Sequence, residues 1–484
     1  MIVMKFGGTS VQDAAAVNQV VEIVSARLDS RPVVVVSAMA GVTDMLLQIA
    51  GMAKNRQFDR ASCLINELRE RHSAAAREIL RARDDSSPFS PNYVESRIEW
   101  LFHELEQLAR DVASLGELTL RSQDAIVSLG ERLSSLLVAA AFAARPTPVA
   151  LVDARQLIIT DDNFSGAEAC APETEASVRA RLAPLIEAGR LIVTQGFIGA
   201  TSEGAPTTLG RGGSDYSAAI IGAALGAEAI EIWTDVDGMM TADPRIVPGA
   251  RRLEELSFDE AAELARMGAK VLHPKTLLPA IGSDIPVQIY NTHNPSSPGT
   301  RILARSRPSS YSIKSIALKR NVVVIKVAAA RKQSPDGFLS SILEVIEKHR
   351  LPIDVMTISA TAASFAVANM PHLEAIARDL RDFGEVTLES DKAMICVVGD
   401  DLKLNPQVTA RLMASLDDIG LSLVCQGASQ ISLVFVIEEC ESERAVRSLH
   451  NQFFAEEESG ERSIGVFRKT WSIGTPDQHI LALQ

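Results

Sequence analysis

Six short runs constrain this chain more than anything else in it: IVMKF from Ile2, PVVVVSA from Pro32, PVALVDA from Pro148, RLIVTQGF from Arg190, AIEIWT from Ala229 and IPVQIY from Ile285. Most are apolar throughout rather than at alternate positions, the pattern of strands covered on both faces. Helical patterns separate them. After the first run, Val17, Val20, Val21, Val24 and Leu28 recur at helical spacing, and Ser10 with Asp13 reads as a capping box, so a helix is expected to begin just past Lys5. Strands and helices alternating in this way predict an α/β fold with a mainly parallel central sheet.

Between residues 57 and 144 the strand signal stops. Three helical segments, 57–83, 92–115 and 118–144, are expected as an excursion from the sheet domain. The Pro-, Ser- and Arg-rich stretch from His293 marks the end of a first domain at 1–305. Beyond it one pattern occurs twice: VVVIKVA, FLSSILEVIEKH, PIDVMTIS and SFAVAN are echoed by AMICVVG, QVTARLMASLDDIG, LSLVCQG and ISLVFVIEE. An offset of about 70 residues suits two small βαββ domains, not a solenoid. They are expected at 316–387 and 388–470, with a tail at 471–484.

Composition narrows the function. In 484 residues a net charge of −13 disfavours nucleic acid, whose backbone is bound by clustered Lys and Arg. No window approaches the roughly 20 apolar residues of a membrane span, and no signal peptide stands at MIVMK, so a cytoplasmic location is expected. Five scattered cysteines without a C-x-x-C pair fit reduced, mostly buried thiols, and no histidine pair has metal-ligand spacing.

The common phosphate fingerprints are missing: there is no G-x-x-x-x-G-K-[ST] loop, and GRGGSD does not fit G-x-G-x-x-G. KFGGTS offers another cradle. Gly7 and Gly8 let backbone N–H groups approach an oxyanion, and Lys5 adds a compact charge. Taken alone, a surface lysine beside a tight turn explains the stretch equally well. In TTLGRGGSDYSA, Gly210, Gly212 and Gly213 precede Ser214 and Asp215. There Arg211 can grip a carboxylate with its planar fork, and Asp215 can position a lysine or a ligand's ammonium, although a flexible loop has the same glycine content. A third stretch, TDVDGMMTADPR, turns at Asp237 and Gly238 after a strand, where α/β folds bind ligands.

KFGGTSV, SAMAGVTD, SLGERLSSLL, TLGRGGSDYSA, TDVDGMMTADPR and MGAKVLHPKTLLPA, in this order and followed by paired βαββ modules, resemble the aspartate kinases of the amino acid kinase family. The resemblance implies an αβα sandwich with two C-terminal ACT domains. It also implies transfer of the ATP γ-phosphoryl group to the β-carboxylate of L-aspartate, with magnesium arriving on ATP and no dedicated metal site. By motif, Lys5 and Asp215 match catalytic positions. Thr43, Glu131, Phe197, Arg211 and Ser214 match the aspartate site, with Arg211 on the α-carboxylate and Glu131 on the ammonium. Lys5, Gly7, Gly8, Thr234, Asp235, Met240, Arg245 and Lys270 match the nucleotide site.

Periodicity alone places Glu131 away from the apolar face of Leu129, Leu133, Leu136 and Leu137, on a solvated side. Met240 stands where relatives carry an aromatic residue. Asp354 and Ser359 match the position at which relatives bind lysine, but Ala360 replaces a glutamate common in lysine-inhibited members. Lysine is thus one expected effector, and threonine another. The helical excursion resembles single-chain homodimeric members. Two rivals are a kinase of the same fold acting on glutamate or an acetylated relative, and a non-catalytic amino-acid sensor.

Overall fold

The computed structural model describes residues 1–454, apart from 82–87, 144, 146, 269–271, 273, 308–312, 330–334, 401, 403–404 and 427–428. The six runs form strands of one eight-stranded sheet. Its order is Val149–Val152, Leu191–Gln195, Val33–Val36, Ile2–Phe6, Ala229–Thr234, Val287–Asn291, Thr300–Leu303, Glu255–Ser257. The first six are parallel, and Thr300–Leu303 runs antiparallel to Val287–Asn291. Alternate residues enter different cores: Met4, Phe6, Val34 and Val36 pack on one face, Val3, Val33 and Val35 on the other. Coverage on both sides is why these runs have no polar face.

Three local expectations are corrected. The first helix, Ala14–Ser25, is capped by Asp13, which accepts from Ala16 N at 2.8 Å. Ser10 sits instead in a single 3-10 turn, Thr9–Val11, and its hydroxyl meets Thr292 Oγ1 at 2.7 Å. Part of the stretch taken as a boundary, Thr300–Leu303, is a sheet strand, because Ile302 is fully buried against its neighbours. The third helical segment is two helices, Leu120–Val127 and Leu129–Phe142. By length and hydropathy Leu120–Phe142 could cross a bilayer, yet 94% of its most apolar window is buried inside the protein.

Helices Phe58–Ile79 and Pro91–Leu115 complete the excursion. They cover Leu129–Phe142, every residue of which is buried. A periodic face does not mark a solvated side when helices lie all around, so the solvated placement of Glu131 is wrong. Of the cysteines only Cys396 is buried, and Cys63 and Cys440 are exposed, which corrects the mostly buried set.

The second region is a six-stranded antiparallel sheet, ordered Ile353–Ile358, Ala362–Ala368, Ser315–Ala329, Gly384–Val398, Ser432–Glu438, Leu421–Gln426. Its two central strands are each 15 residues long. Val322–Ala328 serve the first module by pairing with Ala362–Ala368, whereas Ser315–Lys319 serve the second by pairing with Met394–Val398. Both strands change register near Asn321 and Asp391, each at φ 57°. The expected division at 387/388 therefore falls within Gly384–Val398, and the first module is nested inside the second. A linear repeat cannot reveal this, since the borrowed strand lies upstream of both copies.

One face of this sheet carries two module cores, one including Ile325, Phe338 and Phe365, the other Ile395, Phe435 and Leu449. The opposite face, with Val324, Met394 and Cys396, packs on helix Phe258–Arg266 of the larger domain through Phe258, Ala261 and Leu264. Polar contacts pin the junction. Lys314 Nζ meets Glu260 Oε1 at 2.7 Å, Asp400 Oδ1 at 2.8 Å and Ser306 Oγ at 2.8 Å, and the Lys314 and Glu260 side chains are both buried. Glu260 also completes a capping box with Ser257. Residues 471–484 lie outside the described chain.

Candidate active site

Parallel strands end together, so the loops after Phe6, Val36, Gln195 and Thr234 share the carboxyl edge of the sheet. Lys5 is the penultimate residue of its strand, and its side chain is about nine-tenths buried. It meets Asp215 Oδ1, in the first turn of helix Gly213–Leu225, at 2.6 Å. Gly8 is required by close approach, since a Cβ there would stand 2.9 Å from Ala38 O, whereas one on Gly7 would make ordinary contact, 3.7 Å from Lys5 Nζ. Gly7 N donates to Trp233 O at 3.0 Å, which joins the turn to the strand that ends at Thr234, just before Asp235. Beneath it Phe6, Trp233 and Tyr290 stack, with centroids 5.9 and 4.8 Å apart.

The loop Ser37–Gly41 is gripped by the buried helix. Ala38 N donates to Glu131 Oε1 at 3.1 Å, and Ser134 Oγ donates to Ser37 O at 2.7 Å. Gly130 is needed there, since a Cβ would press to 2.9 Å from that of Ala38. The other oxygen of Glu131, Oε2, is buried without a partner among the described residues, and burial pushes this carboxyl up to about 8. A carboxyl so placed has one oxygen held and one available for a cation. Thr43 stands in the first turn of the next helix, Val42–Lys54, whose N-cap, Gly41, supplies no side chain to the free N–H groups.

Ser37 Oγ donates to Ser214 Oγ at 2.9 Å, tying this loop to the second glycine turn. Phe197 adopts φ 67°, an uncommon conformation for a bulky residue, and Ser217 Oγ accepts its N–H at 3.0 Å. Gly213 packs on the Phe197 ring so closely that a Cβ would lie 2.6 Å from it. Arg211 is exposed beside this turn.

The structure thus brings together Lys5, Gly7, Gly8, Glu131, Phe197, Ser214 and Asp215 through direct contacts, with Thr43, Arg211, Thr234 and Asp235 on the loops that carry them. For Met240 and Arg245 the contacts are local or to the second region. Met240 O accepts from Ser315 Oγ at 2.8 Å, and Arg245 is paired with its neighbour Asp243 at 2.6 Å. Lys270 lies outside the described residues. Asp354 and Ser359 are on the six-stranded sheet. Both oxygens of Asp354 are held by Lys319 Nζ, at 2.7 and 2.6 Å, and Ser359 closes a turn with Ala362. Sequence reasoning did not single out Ser37, Ser134 or Asp124. Hydroxyls on an otherwise apolar helix were the available signal for Ser134.

The chain matches the amino acid kinase family over residues 1–291 and the ACT domain over residues 395–453. It is 33% identical to lysine-sensitive aspartokinase 3 of Escherichia coli over 94% of this chain and 99% of that one. With the chloroplastic aspartokinase 1 of Arabidopsis thaliana it shares 33% identity over 98% of this chain and 83% of the relative. Among solved structures, E. coli aspartokinase III in complex with aspartate and ADP, in the R-state, matches with a TM-score of 0.82 at 32% identity, covering 93% of this chain and 99% of that one. The same enzyme with lysine and aspartate, in the T-state, gives 0.74 at 32% identity, covering 94% and 99%.

Proposed function

This chain belongs to the aspartokinases, within the amino acid kinase family, and from that premise we infer how its pocket moves the ATP γ-phosphoryl group onto the β-carboxylate of L-aspartate to give 4-phospho-L-aspartate and ADP. The acceptor is already an ionised nucleophile near neutral pH, so no general base is needed. What remains is alignment and neutralisation of phosphate charge. Lys5 supplies the charge at the glycine turn, and Asp215 holds its ammonium in place until phosphate oxygens compete for it. Magnesium would enter with ATP as part of the co-substrate, retaining several of its waters.

Selection of an amino acid follows from two groups of opposite sign. Arg211 takes the α-carboxylate, and the unpartnered oxygen of Glu131 takes the ammonium. Thr234, Asp235, Met240, Arg245 and Lys270 are assigned to the nucleotide by motif. An amino acid binding the ACT pair would regulate turnover. Lysine is favoured by the lysine-sensitive relative, while Ala360 and the pairing of Asp354 with Lys319 keep threonine in play. A homodimer in the cytoplasm is the expected working form.

The buried Lys5–Asp215 pair between two glycine turns is the observation that carries this reading. Trapping the acyl phosphate with hydroxylamine tests it. L-Aspartate with ATP should give signal and L-glutamate little. Lys5→Ala and Asp215→Ala should each lower kcat by at least about 100-fold with the fold retained. Full activity in Lys5→Ala would overturn the assignment.

A further inference from the structure

Asp124, on the short helix Leu120–Val127, is only 1% exposed. Its charge is met by hydrogen bonds. Oδ2 accepts the backbone N–H groups of Ser165 and Thr208, both at 2.8 Å, and Oδ1 accepts their two hydroxyls, at 3.1 and 2.9 Å. Four donors fill the acceptor positions of an ionised carboxylate.

Both partners bear on the turn that presents Arg211. Thr208 ends strand Pro206–Thr208, directly before Leu209, Gly210 and Arg211, and its carbonyl accepts from Ala167 N at 2.9 Å. Ser165, at φ 69°, places its carbonyl 3.4 Å from where a Gly210 Cβ would stand, and Gly210 itself has φ 74°. Ser165–Ala167 thus form a seat for the turn, and Asp124 fastens that seat to the strand entering it. Arg211 is exposed, so the course of its backbone decides where its guanidinium can reach.

We propose that Asp124 is a positioning residue for aspartate recognition: by binding Ser165 and Thr208 together it sets the Gly210 turn so that Arg211 meets the substrate's α-carboxylate. The inference rests on the reading of Arg211 as that carboxylate's partner. The division of labour between the two oxygens makes it specific. An asparagine can keep its carbonyl on the two backbone N–H groups and donate its amide to hydroxyls turned to accept, whereas an alanine loses all four bonds.

Steady-state kinetics on the full chain test this, with Arg211→Ala as reference. Asp124→Ala should raise KM for L-aspartate at least about tenfold, with KM for ATP within about twofold of wild type. Asp124→Asn should restore KM for aspartate to within about threefold. Should Asp124→Ala fail to fold, the Ser165→Ala/Thr208→Val double variant keeps the backbone pair and should raise KM for aspartate about threefold to fivefold. Three results overturn the proposal: unchanged aspartate KM in a folded Asp124→Ala or double variant, aspartate and ATP KM rising together, or asparagine as damaging as alanine. If Arg211→Ala leaves KM for aspartate unchanged, the reading of the loop fails. If Arg211→Ala raises it and Asp124→Ala does not, only the fastening role fails.

Discussion

At the scale of the residue, the role proposed for Glu131 makes substrate binding respond to pH. Burial pushes its carboxyl up to about 8, so without substrate it is protonated at neutral pH, and as the proposed partner of the substrate's ammonium it must give up that proton on binding. KM for L-aspartate should fall by up to about tenfold per unit as pH rises from 6 towards 8, then level off. Glu131→Gln should bind aspartate weakly and without this slope, as an initial-rate profile at saturating ATP will record. Stability has the opposite sense. The folded chain holds a proton that the unfolded chain releases near 4.5, so this group's contribution is complete below that value and lost as pH rises to about 8. Glu131 also shows what a sequence hides. Its helix is apolar enough to imply one buried face, and nothing in a single helix says that others enclose the remaining side. Lys5, Arg211 and Asp215 were legible because glycines mark backbone that must approach something, and such marks are local.

Elements tell a similar story about stability. His72 lies fully buried in helix Phe58–Ile79, its Nδ1 on Leu68 O at 2.7 Å and its ring edge-on to Phe102. Burial pushes it down to about 4. Unfolded chains take up the proton near 6.5 and the folded chain does not, so stability falls as pH drops from 6.5 to about 4. This group alone accounts for about 2 kcal/mol at pH 5. His72→Leu should therefore lose less stability between pH 7 and pH 5 than the wild type, measured by urea unfolding. The strands were the most readable elements, because coverage on both faces removes every polar position. Short edge strands such as Glu255–Ser257 carry no such pattern, and Thr300–Leu303 was concealed by the prolines and serines before it. The start of helix Ala14–Ser25 was misplaced since Ser10 and Asp13 are both competent caps, and only the contact of Ser10 with Thr292 decides between them.

Across the whole molecule, the two regions are joined by a buried ion cluster and by the loop that follows strand Ala229–Thr234. Ala242, Ile246 and Val247 of that loop enter the core of the outer ACT module, and Thr241 Oγ1 meets His450 Nε2 at 2.9 Å. Removing one partner of a buried pair leaves the other uncompensated. Lys314→Met should cost about 3–5 kcal/mol, and adding Glu260→Gln should recover part of it. Thermal unfolding of both variants and the double variant checks this cycle. A second variant no more stable than Lys314→Met would show that Glu260 is not the group left exposed to loss. The duplicated pattern and two classes of domain were legible in order and kind, but their connection was not, because strand exchange has no signature in a one-dimensional echo. That exchange has a genetic corollary. The inner ACT module enters and leaves through adjacent, hydrogen-bonded segments around Lys319 and Lys392, so the cassette that recombination can transplant cleanly is the interior one. A swap cut at the midpoint of the echo would sever both fifteen-residue strands' partnership and leave neither half with a complete sheet.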